Sequence, residues 1–109
     1  MSYKVLSGKT FESELKRLTR KYPGLKELFR DLLVSLSSQP LQGKPIGRSC
    51  YKIRVSIPGK NKGKSGGGRV ITFVHISEQS VFLLSIYDKS ERADLRPGEL
   101  EKLIGDLDL

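Results

Sequence analysis

Tyr51 to Ile57 reads YKIRVSI. Tyr51, Ile53, Val55 and Ile57 alternate with Lys52, Arg54 and Ser56, the two-residue period of a half-buried β-strand. The apolar set must lie on a core, which leaves Lys52 and Arg54 side by side on the other face. RVITFVHI (Arg69 to Ile76) and VFLLSIY (Val81 to Tyr87) read as two more strands. The last is apolar on both faces, as a central strand would be.

Ahead of this region the period is helical. Thr10 is placed to cap a helix whose apolar stripe is Phe11, Leu15, Leu18 and Tyr22. Pro23-Gly24 stops it. A second helix is expected from Leu25 to Leu36, with Leu25, Leu28, Phe29, Leu32, Leu33 and Leu36 on one face. YKVLS (Tyr3 to Ser7) reads as a short first strand, and SSQPLQGKPIGRS, with two prolines and two glycines, as loop. At the other end Pro97 suits the first turn of a short helix carrying Leu100, Leu103, Ile104 and Leu107. The chain therefore reads as an α+β fold in the order β-α-α-β-β-β-α. A helix pair packs on one face of an antiparallel sheet. Its 109 residues suit a single domain over 1–109 with one modest core.

Charge narrows the function. The net charge is +8, and from Ser38 to Ser77 there are eight Lys/Arg and no Asp or Glu. The first 37 residues hold eight basic and four acidic side chains; Glu78 to Leu109 hold four basic and eight acidic. A forty-residue span without a carboxylate points to a polyanionic partner rather than an ordinary mixed surface. No apolar run approaches the length of a membrane span, and no secretory signal is visible, so a cytoplasmic location without membrane attachment is expected. Cys50 is the only cysteine and His75 the only histidine. An intrachain disulfide, a cysteine-based zinc site and a histidine metal cluster are thereby excluded, and neither metal nor cofactor is expected.

PGKNKGKSGGGR, Pro58 to Arg69, comes close to the phosphate-binding loop G-x-x-x-x-G-K-S, but Pro58 stands at the leading glycine. Such a loop must open a helix whose N-terminus faces the phosphates, whereas three glycines and a strand follow here. Nucleotide binding is not expected. The stretch reads as a long hairpin loop, either merely solvated or an electrostatic arm in which Lys60, Lys62 and Lys64 contact phosphates. Arg48, in the loop before the first long strand, joins them as a candidate RNA-binding residue.

The remaining chemistry is cationic. Lys52 and Arg54 share a face, Arg69 opens the neighbouring strand, and Lys89 follows the next. Four cations from three adjacent strands can converge on one face. Arginines there could neutralise charge building on a pentacoordinate phosphate, and a lysine could move a proton. Plain phosphate binding without catalysis is the other reading that these residues allow.

YKIRVSIPGKNKGKSGGGRVITFV followed by VFLLSIYDKSERADL, with LKRLTRKYP and QPLQGKPIG upstream, resembles the RelE/ParE toxin superfamily. The likeness covers nearly the whole chain and is closest to the RelE and HigB-type toxins of type II toxin–antitoxin modules. It implies a curved antiparallel sheet backed by two N-terminal helices. It also implies a metal-independent endoribonuclease that enters the ribosomal A site, among mRNA and rRNA, and cuts the message. The 2′-hydroxyl attacks the adjacent phosphate, leaving 2′,3′-cyclic phosphate and 5′-hydroxyl ends. A cognate antitoxin is the implied partner. Matched position by position, the resemblance assigns Lys52, Arg54, Arg69 and Lys89 to catalysis. It places Leu95 where RelE has a tyrosine, with Tyr87 as a possible substitute. The alternatives are a non-catalytic ParE-like inhibitor of DNA gyrase and a degenerate toxin that only binds RNA; Lys52, Arg54 and Arg69 on the sheet favour cleavage.

Overall fold

The computed structural model describes residues 2–59 and 67–107. Lys60, Lys62 and Lys64 lie outside the described residues. The elements run β1 (Lys4–Ser7), α1 (Lys9–Lys21), α2 (Leu25–Ser38), β2 (Lys44–Gly47), β3 (Cys50–Val55), β4 (Gly68–His75), β5 (Ser80–Asp88) and α3 (Glu99–Gly105). The strands form one sheet in the order β1-β5-β4-β3-β2.

The alternation in YKIRVSI does what it predicts. Ile53, Val55 and Ile57 enter a core with Val70, Val74, Val81, Leu83 and Ile86 beneath Phe11, Leu18, Leu25 and Leu36 of α1 and α2. The α1 stripe holds: Phe11 and Leu18 are fully buried, with Leu15 and Tyr22 packed at the margin. Side chains of opposite parity form a second cluster, in which Cys50, Ile71, Leu84 and Tyr87 meet Leu103 of α3. VFLLSIY is thus buried on both faces because each face has its own helical cover.

Four details differ from the expectation. β1 pairs with β5 in parallel, whereas the other three pairings are antiparallel. Parallel neighbours need a long crossover, and everything from α1 to β4 supplies it. The supposed loop before β3 holds β2, an edge strand with a register shift between Pro45 and Gly47. Proline is tolerated there because an edge strand leaves one side unpaired. Gly43 leads into β2 at φ +95°, and a Cβ on it would lie 2.5 Å from the Lys52 carbonyl oxygen, so only glycine lets the chain pass so close. Thr10 does not cap α1. Gly8 does, its carbonyl accepting from the Glu12 N–H at 3.0 Å while its own N–H donates to Leu83. Pro97 stands outside α3, which begins at Glu99 after Gly98 turns the chain at φ +82°.

β5 outlasts β1, and Glu14 of α1 closes the gap. Its Oε1 accepts from the Ser85 hydroxyl at 2.8 Å and from the Ile86 N–H at 3.1 Å. Burial nevertheless pushes the Glu14 carboxyl pKa up, the two hydrogen bonds only partly opposing it. A carboxyl that holds its proton more tightly when folded is best tolerated at low pH. Its charge then costs stability as pH rises from the ordinary carboxylate range through the raised value. Glu14→Gln keeps an acceptor oxygen and removes that charge. The variant should melt above the parent at pH 7, and the difference should shrink toward pH 4; thermal unfolding followed at both pH values checks this.

Candidate functional site

The sheet face carrying the second cluster also carries the cations. Arg54 on β3 is directly opposite Arg69 on β4, and Arg69 is directly opposite Tyr87 on β5. One straight row therefore crosses three strands, with facing Cα atoms about 4.5–5.5 Å apart. Lys52 lies two residues along β3 from Arg54, on the same face. Lys89 follows Tyr87 by two residues, and its backbone N–H donates to the Gly67 carbonyl at 3.0 Å, at the base of the β3–β4 hairpin.

The four side chains differ in how they are held. Arg69 is only 8% exposed, and its Nη1 donates to the Gly68 carbonyl at 3.0 Å. A guanidinium packed this way loses little freedom when it takes a ligand. Arg54 is exposed. Among the described residues no carboxylate pairs with Arg54 or with Lys89. Lys52 is half-buried, and its Nζ reaches Asp94 Oδ1 at 3.0 Å.

The turn after β5 sets Lys89 in place. The carboxylate of fully buried Asp88 accepts from the Ser90 N–H at 2.9 Å and the Ser90 hydroxyl at 2.8 Å. Glu91 is gripped by Arg17 at 2.8 Å and Lys21 at 3.3 Å, which ties the turn to α1. These cations hold the Glu91 carboxyl below its ordinary range.

Arg48 is not part of the row. It sits in the β2–β3 turn at φ 56°, and its Nε donates to Glu101 of α3 at 2.7 Å. Leu95 packs against the second apolar cluster. The phenol opposite Arg69 is Tyr87, whose hydroxyl donates to Asp94 at 3.3 Å while the Arg92 guanidinium lies 4.9 Å from its ring centre. Burial, then Asp94, pushes the Tyr87 pKa up, so the phenol is a neutral donor at pH 7. Asp94 is held low by the Leu95 N–H first and by Lys52 second.

Of the residues expected from the sequence, the structure brings Lys52, Arg54 and Arg69 onto one face with Tyr87 and sets Lys89 in the turn beyond it. Sequence reasoning missed Asp94 and Arg92. The only signal for them was the swing to acidic composition after Glu78, which says that carboxylates must meet the basic span but not where. Two arginines, Lys52 and a neutral phenol on one face, with Lys89 in the turn at its edge, can bind a phosphodiester and take up charge that grows on it.

Residues 8–104 match the family described as the RelE toxin of the RelE/RelB toxin–antitoxin system. Among solved structures, the chain is similar to a mutant of the Escherichia coli toxin RelE in the free state, with 20% identity and a TM-score of 0.61 over 97% of this chain and 94% of that one. It is similar to the toxin–antitoxin complex RelBE2 from Mycobacterium tuberculosis, with 19% identity and a TM-score of 0.60 over 81% of this chain and 99% of that one. The isolated E. coli RelE toxin in its P21 form gives 19% identity and a TM-score of 0.59 over 96% of this chain and 99% of that one.

Proposed function

The chain belongs to the RelE toxin family, and from that premise we propose that it is a ribosome-dependent mRNA endoribonuclease neutralised by a cognate antitoxin. The observation that carries the reading is the facing pair Arg54 and Arg69, with Lys52 on the same face. The O2′ of one nucleotide attacks the adjacent phosphorus, a bond forms between them, and the bond from phosphorus to O5′ breaks. Arg69 and Arg54 take up the charge on the non-bridging oxygens of the phosphorane. The O2′ proton passes to Lys89 Nζ. Lys52 Nζ returns a proton to the departing O5′.

The reaction depends on having O2′, phosphorus and O5′ in line. A ribosome holding the message stretched in the A site supplies that alignment, an advantage that free RNA lacks. The carboxylate-free span, carrying Arg48 and the loop lysines Lys60, Lys62 and Lys64, suits contact with message and ribosomal RNA backbones. A partner toxin–antitoxin complex among the similar structures supports an antitoxin for this chain too.

Primer extension on programmed ribosomes tests the reading. Purified protein should produce a new stop inside the A-site codon, and the same message without ribosomes should be cut at least a hundredfold more slowly, on the order of what alignment contributes. A message left whole on the ribosome would overturn the proposal.

A further inference from the structure

We propose that Lys52 and Tyr87 form a phosphate seat which Asp94 fills in the free protein, its carboxylate standing where an RNA phosphodiester oxygen sits in the complex. The inference rests on the RNA-cleaving reading of this face and adds to it a ligand role for Tyr87 and a built-in competitor.

A single oxygen, Asp94 Oδ1, accepts from Lys52 Nζ at 3.0 Å, from the Tyr87 hydroxyl at 3.3 Å and from the Leu95 N–H at 2.8 Å. An ammonium and a hydroxyl aimed at one anionic oxygen make a charge-assisted site, and a phosphate oxygen satisfies the same two donors. The site adjoins the arginine row, since Tyr87 faces Arg69 and Lys52 is two residues from Arg54. A phosphodiester bridged by Arg54 and Arg69 would therefore bring a further oxygen, or the next phosphate, to Lys52 and Tyr87.

The two donors are held independently of Asp94. The Tyr87 ring is nearly buried and lies under the Arg92 guanidinium, which Glu99 tethers at 2.7 Å. Lys52 is anchored in β3 between its partners Ile71 and Lys44. Asp94 belongs instead to the connection between β5 and α3, and its side chain is 58% exposed. An ion pair this open to water contributes little net stability, so an incoming polyanion can exchange it. Glu101 repeats the pattern at the far end of β3, reaching Arg48 at 2.7 Å. Both carboxylates come from the acidic last third of the chain and land on the carboxylate-free span. The chain thus lays part of its own negative charge over the surface that would take RNA.

The test is anisotropy of a fluorescein-labelled 2′-O-methyl RNA dodecamer, which cannot be cut, titrated with full-length protein across a series of salt concentrations. Asp94→Asn should bind about fivefold more tightly than the parent, the scale of one exposed ion pair released. Its dependence of log Kd on log salt should steepen by about 0.7, one more phosphate neutralised on a single strand. Lys52→Ala should abolish that gain, so that Lys52→Ala and Lys52→Ala/Asp94→Asn bind alike, and Tyr87→Phe should remove part of it. Asp94→Ser, with circular dichroism to verify folding, should repeat the gain. Binding no tighter than the parent in both Asp94 variants would overturn the seat, as would a gain that survives Lys52→Ala. If ribosome-bound message is cut while the Asp94 variants gain nothing, the seat fails alone. If the gain appears and depends on Lys52 while message stays whole, the seat stands and the cleavage reading fails.

Discussion

Replacing Arg69 by alanine is expected to slow cleavage of ribosome-bound message by about 10²–10³-fold, the roughly 2.7–4 kcal/mol contributed by one donor aimed at a developing anion. Arg69 is the residue to test because it is the centre of the row, directly opposite Arg54 on one side and Tyr87 on the other. It is also nearly buried, so its guanidinium is already in position before substrate arrives. Arg69→Lys keeps the charge but not the planar fork, and it should recover only part of the loss. Both variants should melt within a few degrees of the parent, which separates lost chemistry from lost fold. Single-turnover cleavage measures the effect, and an Arg69→Ala protein that cuts at the parent rate would remove Arg69 from the mechanism.

The second large effect is on stability. Phe11→Ala should cost about 3–5 kcal/mol, the usual price of emptying a fully buried aromatic site. Phe11 is 0% exposed and its ring centre lies 5.6 Å from that of Phe29, so it joins α1 and α2 as both pack on the sheet. The tilted contact between the two rings adds to the area lost. On the same helix pair, Val34 of α2 is 71% exposed, and Val34→Ala should stay within about 0.5 kcal/mol of the parent. Urea unfolding of the two variants gives the comparison. Similar midpoints for both would show that the helices do not pack on the sheet through Phe11.

Much of this architecture is legible in local patterns. YKIRVSI announces its faces because each apolar side chain is answered by a polar one. The α1 stripe of Phe11, Leu15, Leu18 and Tyr22 returns to one side every turn. β2 is different: Lys44-Pro45-Ile46-Gly47 has a proline and a glycine in four residues, and only its pairing with β3 makes it a strand. The parallel partnership of β1 and β5 joins the first strand to the last, a contact that no window of sequence contains. The cap of α1 depends on a distant contact too: Gly8 is held at the end of β1 by its N–H bond to the Leu83 carbonyl, which outweighs the side-chain preference that favours Thr10.

The site divides in the same way. Lys52 and Arg54 share a face by strand periodicity alone, and Arg69 follows from a hairpin between neighbouring strands. Tyr87 is brought opposite Arg69 only after an irregularity between Ile71 and Thr72 in the β4–β5 register. A bulge of one residue changes which side chains share a face, and composition carries no trace of it. Asp94 reaches Lys52 across 42 positions of sequence through a connection without regular structure. Charge balance predicts that such a pair must exist but cannot choose its members.

The central claim is that this cationic face drives an attack by the 2′-hydroxyl on its own phosphodiester. A message with one 2′-deoxynucleotide at the A-site cleavage position, compared on ribosomes with its all-ribose twin, tests it most directly. The all-ribose message should yield a cyclic phosphate and a 5′-hydroxyl end that polynucleotide kinase can label at once, and the substituted message should stay whole. Cutting of the deoxy-substituted message at the same bond, or 5′-phosphate ends from the all-ribose one, would contradict it.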